Sequence, residues 1–323
     1  MVSSTLEERP TGTRERRASK TPKTASGLRP TRIKDPVGDR VFMVGVYILL
    51  TTFLLVVLLP LIYIVASSFS DPQAVSSGQV TFWPIGFTLE GYQRALSDNS
   101  ILTGFGNSLI YTVAGTAISL VLTVAIAYPL SRADFWGRRG ITVFVVFTML
   151  FAGGIIPTYL VVQNLGMLDT RWALILPQAI GVWQVIIAVA FFRTSIPDEL
   201  YEAAQLDGAS DLRFLFSTVI PLSKPLLAVI ALMYGIYQWN SYFDALLYLR
   251  DPGLYPLQLV LRNVLILNQA APGMDAAAAF ERQQLASLLK YSLIVISTVP
   301  VMLVYPFVAR FFNKGILVGA VKG

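Results

Sequence analysis

The 323-residue chain contains no cysteine and no histidine. These absences remove disulfides, thiolate nucleophiles, imidazole acid–base chemistry and most transition-metal sites. Charge is also scarce. Only 14% of residues are Asp, Glu, Lys or Arg, against about 25% in soluble globular domains. No G-x-x-x-x-G-K-[ST] pattern occurs, so the chain cannot hold ATP by that route. The apolar runs carry no paired carboxylates and no nucleophile–base set. No catalytic residue and no metal ligand is therefore expected, and a membrane-embedded enzyme has the least support. No internal repeat is visible.

What the chain has instead is apolar surface. Apolar residues make up 54% and the mean hydropathy is +0.62. A soluble core of this size could not hide so much, so lipid must be the solvent for most of the chain. Six segments are long enough to span ~30 Å at about 1.5 Å per residue. They cover approximately residues 41–68, 105–131, 141–162, 172–192, 225–248 and 287–311. The expected fold class is an all-α polytopic membrane protein with six transmembrane helices. Pro60, Pro129, Pro157, Pro177, Pro300 and Pro306 lie in these spans. Kinked helices around a cavity and ordinary bent packing are both open readings of them.

The net charge of +6 is mostly an N-terminal effect. Residues 1–40 hold ten Lys/Arg and five Asp/Glu; the rest of the chain holds fifteen and fourteen. This composition cannot build a core, so 1–40 reads as a solvated basic arm rather than a nucleic-acid site. About forty polar residues before the first apolar run do not suit a cleavable signal. With the arm inside, the positive-inside rule puts loop 132–140 (Arg132, Arg138, Arg139), loop 193–224 (Arg193, Arg213, Lys224) and the C-terminus in the cytoplasm. The even span count puts both termini there, in a multi-pass protein of the cell membrane. The first outer loop, 69–104, carries the interfacial aromatics Phe82 and Trp83, with Thr88 expected to cap a short helix. In the last outer loop, Asp275 is expected near the N-terminus of a helix leading into the sixth span.

Two stretches carry chemistry. In the fifth span, Tyr237, Asn240 and Asp244 form one row and Tyr234, Gln238 and Ser241 the next. Ile236, Trp239, Phe243 and Leu247 lie opposite. One wet face on a membrane helix marks either interhelical hydrogen bonds or a water-filled route. Neutral donors and aromatic faces are what sugars and other polar neutral solutes require. Gln184 and Trp183 in the fourth span and Thr148 in the third are weaker candidates. Asp244 is the acidic residue placed inside a span, and about 28 Å of helix from Pro225 puts it near the outer surface. A self-contained ion-coupled carrier would need such a group near mid-bilayer; that alternative remains open.

The second stretch is 197–225. Pro197 suits the first position of a helix, with Asp198 and Glu199 at its positive end. Leu200, Ala203 and Ala204 form an apolar ridge at helical spacing, small enough for close approach to a partner. Asp207-Gly208 ends the helix and Ser210 caps a second one over 211–219. An amphipathic loop resting on lipid and a handle for another protein are both consistent with this pattern.

The residues Glu202-Ala203-Ala204-x-x-Asp207-Gly208-Ala209, followed by Pro221-Leu222-Ser223-x-Pro225, resemble the EAA loop of ATP-binding-cassette importer permeases of the sugar-importer branch. Trp239-Asn240, Phe82-Trp83-Pro84, Thr88-Leu89-Glu90-Gly91-Tyr92 and the C-terminal Lys314-Gly315…Gly319-Ala320-Val321-Lys322-Gly323 extend the resemblance from about residue 41 to the end. It is most similar to the maltose-type second permease, in the subgroup associated with complex oligosaccharides. Thr218, where an aliphatic residue is usual, and Lys224 depart from the pattern.

The resemblance implies a type I importer permease fold over 41–318, with a cytoplasmic coupling helix in loop 193–224. It implies an ATPase contact through Leu200, Glu202, Ala203, Ala204, Asp207, Gly208 and Ala209. A second contact would use Gly319, Lys322 and Gly323 in the 319–323 tail. ATP and Mg would be on the partner ATPase, an ATPase dimer, with no cofactor on this chain. A second permease subunit would complete a heterodimer, lipid would surround it, and an extracytoplasmic solute-binding protein would deliver the sugar. Tyr234, Tyr237, Gln238, Asn240, Ser241 and Gln184 are candidates for the translocation path. Sugar contacts in maltose-type systems lie mostly on the partner permease, which weighs against direct binding here.

Overall fold

A computed structural model describes residues 36–267, 275, 284, 286 and 289–307. The chain divides into two compact units, 1–55 and 56–323. Helix α1 (Val37–Ser68) crosses that boundary, and in residues 37–55 its side chains are almost all exposed. Such a surface is stable only in lipid or under another subunit.

In the second unit every described element is a helix or a connection. Next come α2 (Pro72–Ser76), α3 (Glu90–Ser97), α4 (Asn99–Ser131), α5 (Arg138–Leu150), α6 (Ile155–Asn164), α7 (Trp172–Ile175) and α8 (Val182–Ser195). Then follow α9 (Asp198–Leu206), α10 (Asp211–Leu222), α11 (Lys224–Trp239), α12 (Phe243–Tyr248), α13 (Leu257–Leu267) and α14 (Leu289–Phe307). Among the described residues, three of these (α1, α4 and α14) are each long and apolar enough to cross a bilayer. The bent pairs α5–α6 and α10–α11 also pass when each is taken together.

Among the described residues, the first, second and sixth expected spans coincide with single helices long and apolar enough to cross, and the other three expected segments are not continuous helices. The third, read as 141–162, breaks between α5 and α6 with a bend of 116°. Gly154 sits there at φ 85, ψ 175, a conformation essentially closed to other residues. The fourth, read as 172–192, is the single turn α7, then an irregular stretch containing Pro177, then α8. The fifth, read as 225–248, stops at Trp239 and resumes as α12. The second begins earlier than expected, at Asn99, because Asp98 caps it by accepting from Ser100 N at 2.8 Å. Thr88 accepts from Glu90 N at 3.2 Å, so it fastens α3 although Leu89 is the residue at the cap position. The sixth is described over 289–307; the helix expected after Asp275 lies outside the described residues.

Helix α4 is the spine. Its buried face is Ile101, Gly104, Asn107, Ser108, Tyr111, Gly115, Ser119, Thr123 and Ala127. Apart from the adjacent Asn107 and Ser108, successive members are three or four residues apart, which keeps one stripe on one side. Small residues on that stripe let neighbouring backbones come close, as membrane bundles require. The stripe packs against α8, α11 and α13. Irregular backbone inside a bundle must find protein partners, and α4 supplies them. Asn107 Nδ2 donates to Gly253 O at 2.8 Å and Tyr255 O at 3.1 Å. Tyr111 Oη donates to Leu254 O at 2.8 Å, and Ser108 Oγ accepts from Leu257 N at 2.8 Å.

Two anchors lock the remaining pieces. Tyr234 Oη meets Thr123 Oγ1 at 2.7 Å and accepts from Gly181 N at 2.9 Å, joining α11, α4 and the start of α8. Trp239 Nε1 donates to Ser297 O at 2.9 Å, joining α11 to α14. At the far end of α4, Asp169 adopts φ 59. Its N–H donates to Tyr248 O at 2.9 Å, and its carboxylate accepts from Arg250 N and Asp251 N at 2.8 Å each. These backbone donors, Asp251 first, hold its carboxyl below the usual carboxylate range.

Two tests follow from this packing. A Cβ on Gly104 would lie 2.9 Å from Val260 Cγ2 and 3.3 Å from Leu257 Cα, whereas one on Gly106 meets nothing within 4 Å. Gly104→Val should lower the stability of the detergent-solubilised protein by about 1–3 kcal/mol in thermal melting, and Gly106→Val should leave it nearly unchanged. Tyr234→Phe leaves the Gly181 N–H without its acceptor. The same assay should register a loss of about 1–3 kcal/mol. A melting temperature equal to wild type would contradict the anchor.

Candidate functional site

The 197–225 region folds as a polar helix, a glycine break and a second helix, each with an identifiable local cause. Pro197 occupies the cap position of α9, one residue before the expected place, and Asp198 and Glu199 fill the first turn. Gly208 has φ 74, and Ala209 N closes back on Ala204 O at 2.9 Å. This left-handed closure of a helix C-terminus favours glycine. Ser210 Oγ accepts from Arg213 N at 3.4 Å and starts α10. A wide π turn over Leu215–Val219 precedes Pro221. Proline offers no N–H to the carbonyl four residues earlier, and the wider turn accommodates that defect. α10 then meets α11 at a bend of 81°.

The apolar ridge of α9 is not one surface. Ala204 packs toward the bundle beside the buried Tyr201. Leu200, Glu202, Ala203, Asp207 and Gly208 face outward, as does Leu206, which is 90% exposed. Tyr201 displaces Leu200 from the inner side because its ring and its hydroxyl both find partners. The ring lies edge-on to Phe214 at 5.3 Å, and the Arg132 guanidinium sits 3.4 Å above its centroid. The hydroxyl donates to Asp211 Oδ1 at 2.7 Å and accepts from Gln205 Nε2 at 2.8 Å. The Asp211 bond, then burial, raises the Tyr201 pKa, so the phenol stays a donor at neutral pH. Sequence reasoning missed Tyr201, Arg132 and Asp211. The available signal was the Tyr201–Gln205 spacing of four, which puts two polar groups on one side of an amphipathic helix.

The outward face of α9 therefore stands on a clamp of side chains tied to α4 and α10. Glu202 is exposed, and its carboxylate pairs with no cation among the described residues. Gly319, Lys322 and Gly323, the second expected contact, lie outside the described residues.

The wet face of α11 is divided between its two helical rows. Tyr234 and Gln238 point into the bundle, with Gln238 only 1% exposed. Gln238 packs against Gly115, where an added Cβ would come within 2.7 Å of its Nε2; neither amide atom has a hydrogen-bond partner among the described residues. Gln184 lies beside Gly181, next to the Tyr234 hydroxyl, and is half-buried. Tyr237, Asn240 and Ser241 are on the accessible side, with Tyr237 43% exposed. The Tyr237 hydroxyl donates to Asp244 Oδ2 at 3.0 Å, across the interruption. Asn240 Nδ2 donates to Ile236 O at 2.8 Å and closes the end of α11. The six candidates thus form a buried group (Tyr234, Gln238, with Gln184 at its edge) and an accessible group (Tyr237, Asn240, Ser241). The division follows the two rows of the helix, Tyr234 and Gln238 on the inner row and Tyr237 and Asn240 on the outer one; the stop at Trp239, which is buried against Phe105 and α14, takes only Ser241 out of the inner row.

Comparisons with known proteins agree with this architecture. Residues 120–318 match the family described as "Binding-protein-dependent transport system inner membrane component". The chain is 42% identical over 285 residues to the polygalacturonan/rhamnogalacturonan transport system permease protein YtcP of Bacillus subtilis (strain 168), covering 88% of this chain and 99% of that protein. It is 43% identical over 270 residues to protein LplC of the same organism, covering 83% and 90%. A crystal structure of a bacterial ABC transporter involved in the import of the acidic polysaccharide alginate has a chain with a TM-score of 0.80 and 35% identity, covering 86% of this chain and 99% of that one. The chain belongs to the binding-protein-dependent transport family of inner-membrane components, the permease subunits of ABC importers.

Proposed function

We propose that this chain is the non-catalytic permease subunit of an ATP-driven importer of oligosaccharides, and that its cargo comes from acidic, uronate-containing polysaccharides. The observation that carries the coupling is α9: its exposed Leu200, Glu202, Ala203 and Leu206 stand on a rigid base of Tyr201, Arg132 and Asp211. A helix held this firmly on one side and bare on the other suits a partner that pushes on it. The bend between α10 and α11 carries that displacement into α11, and through Tyr234 into α4 and α8. ATP and Mg belong to the partner ATPase dimer. A second permease subunit completes the transmembrane cavity, and an extracytoplasmic binding protein delivers the sugar.

The α9 end faces the cytoplasm in this reading, with both termini on that side, as the loop charges require. Tyr237, Asn240 and Ser241 are the residues best placed to touch solute in this conformation. Tyr234 and Gln238 are closed off within the chain. The uronate assignment rests on the named substrates of YtcP and of the alginate importer. It is tested by uptake of galacturonate and mannuronate oligomers against neutral oligomers of equal length, in cells with and without this chain.

Two substitutions separate grip from transmission. Glu202→Lys should insert normally but reduce uptake at least about tenfold, the value of one charge-assisted contact, while ATP hydrolysis persists. Wild-type uptake at wild-type expression would remove α9 from the coupling role. Tyr201→Phe keeps the ring but loses the Asp211 bond, with an expected stability cost of about 1 kcal/mol. Uptake per ATP hydrolysed should fall while ATPase binding, measured by co-purification, stays intact. Unchanged stoichiometry would show that the hydroxyl does not stiffen the handle.

A further inference from the structure

Beneath α9 lies a cavity of about 190 Å³ that the outward face of the handle does not use. It is bordered by the C-terminus of α4, the start of α5, the last turn of α8, Ile196, the first residue of α9 and α10. Three arginines line it, Arg132, Arg138 and Arg193, with the hydroxyl-bearing Ser131 and Tyr128 and one carboxylate, Asp198.

The arginines have structural duties that use only part of their capacity. Arg193 Nη2 donates to Leu130 O at 2.7 Å and Arg138 Nη1 donates to Arg132 O at 3.1 Å, satisfying carbonyls that end α4. Arg132 stacks on Tyr201 and reaches Asp134 and Asp198 only at 3.5 and 3.6 Å. A guanidinium is a fixed fork of N–H donors, so most of the donors around this space are uncommitted. Asp198 and Asp134 offset Arg132, while Arg138 and Arg193 have no carboxylate partner among the described residues, so positive charge is left unmatched in a partly enclosed space. Like charges held together are costly without an anion among them.

Size and position narrow the anion. The forks match a tetrahedral oxyanion, which accepts paired N–H donors. The cavity is too small for an oligosaccharide and adequate for a phosphate with a short ester arm. It sits where three apolar helices end. The adjoining 132–137 connection holds Phe135 and Trp136, the latter 93% exposed. Aromatic and basic residues together at helix ends mark the lipid headgroup level, where basic pockets between spans take phosphorylated headgroups.

We propose that this cavity is a phosphate-binding site, filled by the headgroup phosphate of an anionic phospholipid. Arg132 belongs both to the cavity and to the base of α9. Occupancy therefore neutralises the charge beneath the handle and steadies the side chain on which Tyr201 rests. This site is separate from the ATPase contact and from the solute route, so its test does not depend on either.

The full chain, with the subunits that co-purify with it, is reconstituted in nanodiscs of phosphatidylcholine alone or mixed with phosphatidylglycerol, and retained lipid is counted by native mass spectrometry. A second arm adds inorganic phosphate to phosphatidylcholine discs and reads the melting temperature. Ala133→Glu tests the site without removing a capping arginine, because Ala133 is exposed at the cavity rim and the new carboxylate takes the anion's place. Arg138→Gln is the complementary variant. Phosphatidylglycerol should be retained over phosphatidylcholine, and Ala133→Glu should weaken that retention about tenfold, one charge-assisted contact, without changing the melting temperature in phosphatidylcholine. Protection by inorganic phosphate that Ala133→Glu abolishes also supports the site, and with no lipid preference it reassigns the source to free phosphate. The proposal fails if neither phosphate source has an effect, or if the lipid preference survives both variants.

Discussion

The structure depends on the buried polar stripe of α4. A bundle in lipid gains little from hydrophobic burial between helices, because lipid tails are as apolar as leucine. Close packing of small residues and satisfied hydrogen bonds must do the work instead. Gly104, Gly115 and Ser119 bring neighbours near, and Asn107, Ser108, Tyr111 and Thr123 bond to them. Three of these side chains serve backbone that is not regular helix: the 252–257 turn and the first N–H of α13. Without them, that connection would leave buried peptide groups unsatisfied, at about 1–3 kcal/mol each.

The same economy explains the broken helices. Each interruption at 151–154, 176–181 and 240–242 frees carbonyls and N–H groups that need partners. Tyr234 takes the Gly181 N–H. Asn240 closes its own helix end, and Asp169 closes the end of α12 while holding the Arg250 and Asp251 amides. These side chains are thus structural before they are anything else. That weighs against reading every polar residue of α11 as part of a solute path. Tyr234 and Gln238 share helical spacing with the accessible Ser241, yet they are buried in this chain.

At the other end, one aromatic ring links three elements. Tyr201 stacks under Arg132, meets Phe214 edge-on and bonds Asp211. The loop of α9 and α10 is therefore an extension of the bundle rather than a tether hanging from it. In the proposed coupling, a displacement applied to its outer face would pass to α11 around the 81° bend. The arginines that close the ends of α4 do a second job here. They build a basic cavity directly under the element that a motor would grip.

Composition and hydropathy alone made the all-helical, apolar character of the chain and the helix–glycine–helix character of 197–225 legible. These are local properties: composition, hydropathy over some twenty residues, a proline at a cap and a glycine with φ 74. Which face of α9 is bare was settled by packing, because Leu200 and Tyr201 compete for one inner position and the winner is chosen by Arg132, Asp211 and Phe214, each at least ten residues away in sequence. Packing also decided that the fifth span stops at Trp239, since that end is held by Ser297 and Phe105 on other helices. Neither choice leaves a periodic trace in the chain, for both are contacts between residues distant in sequence.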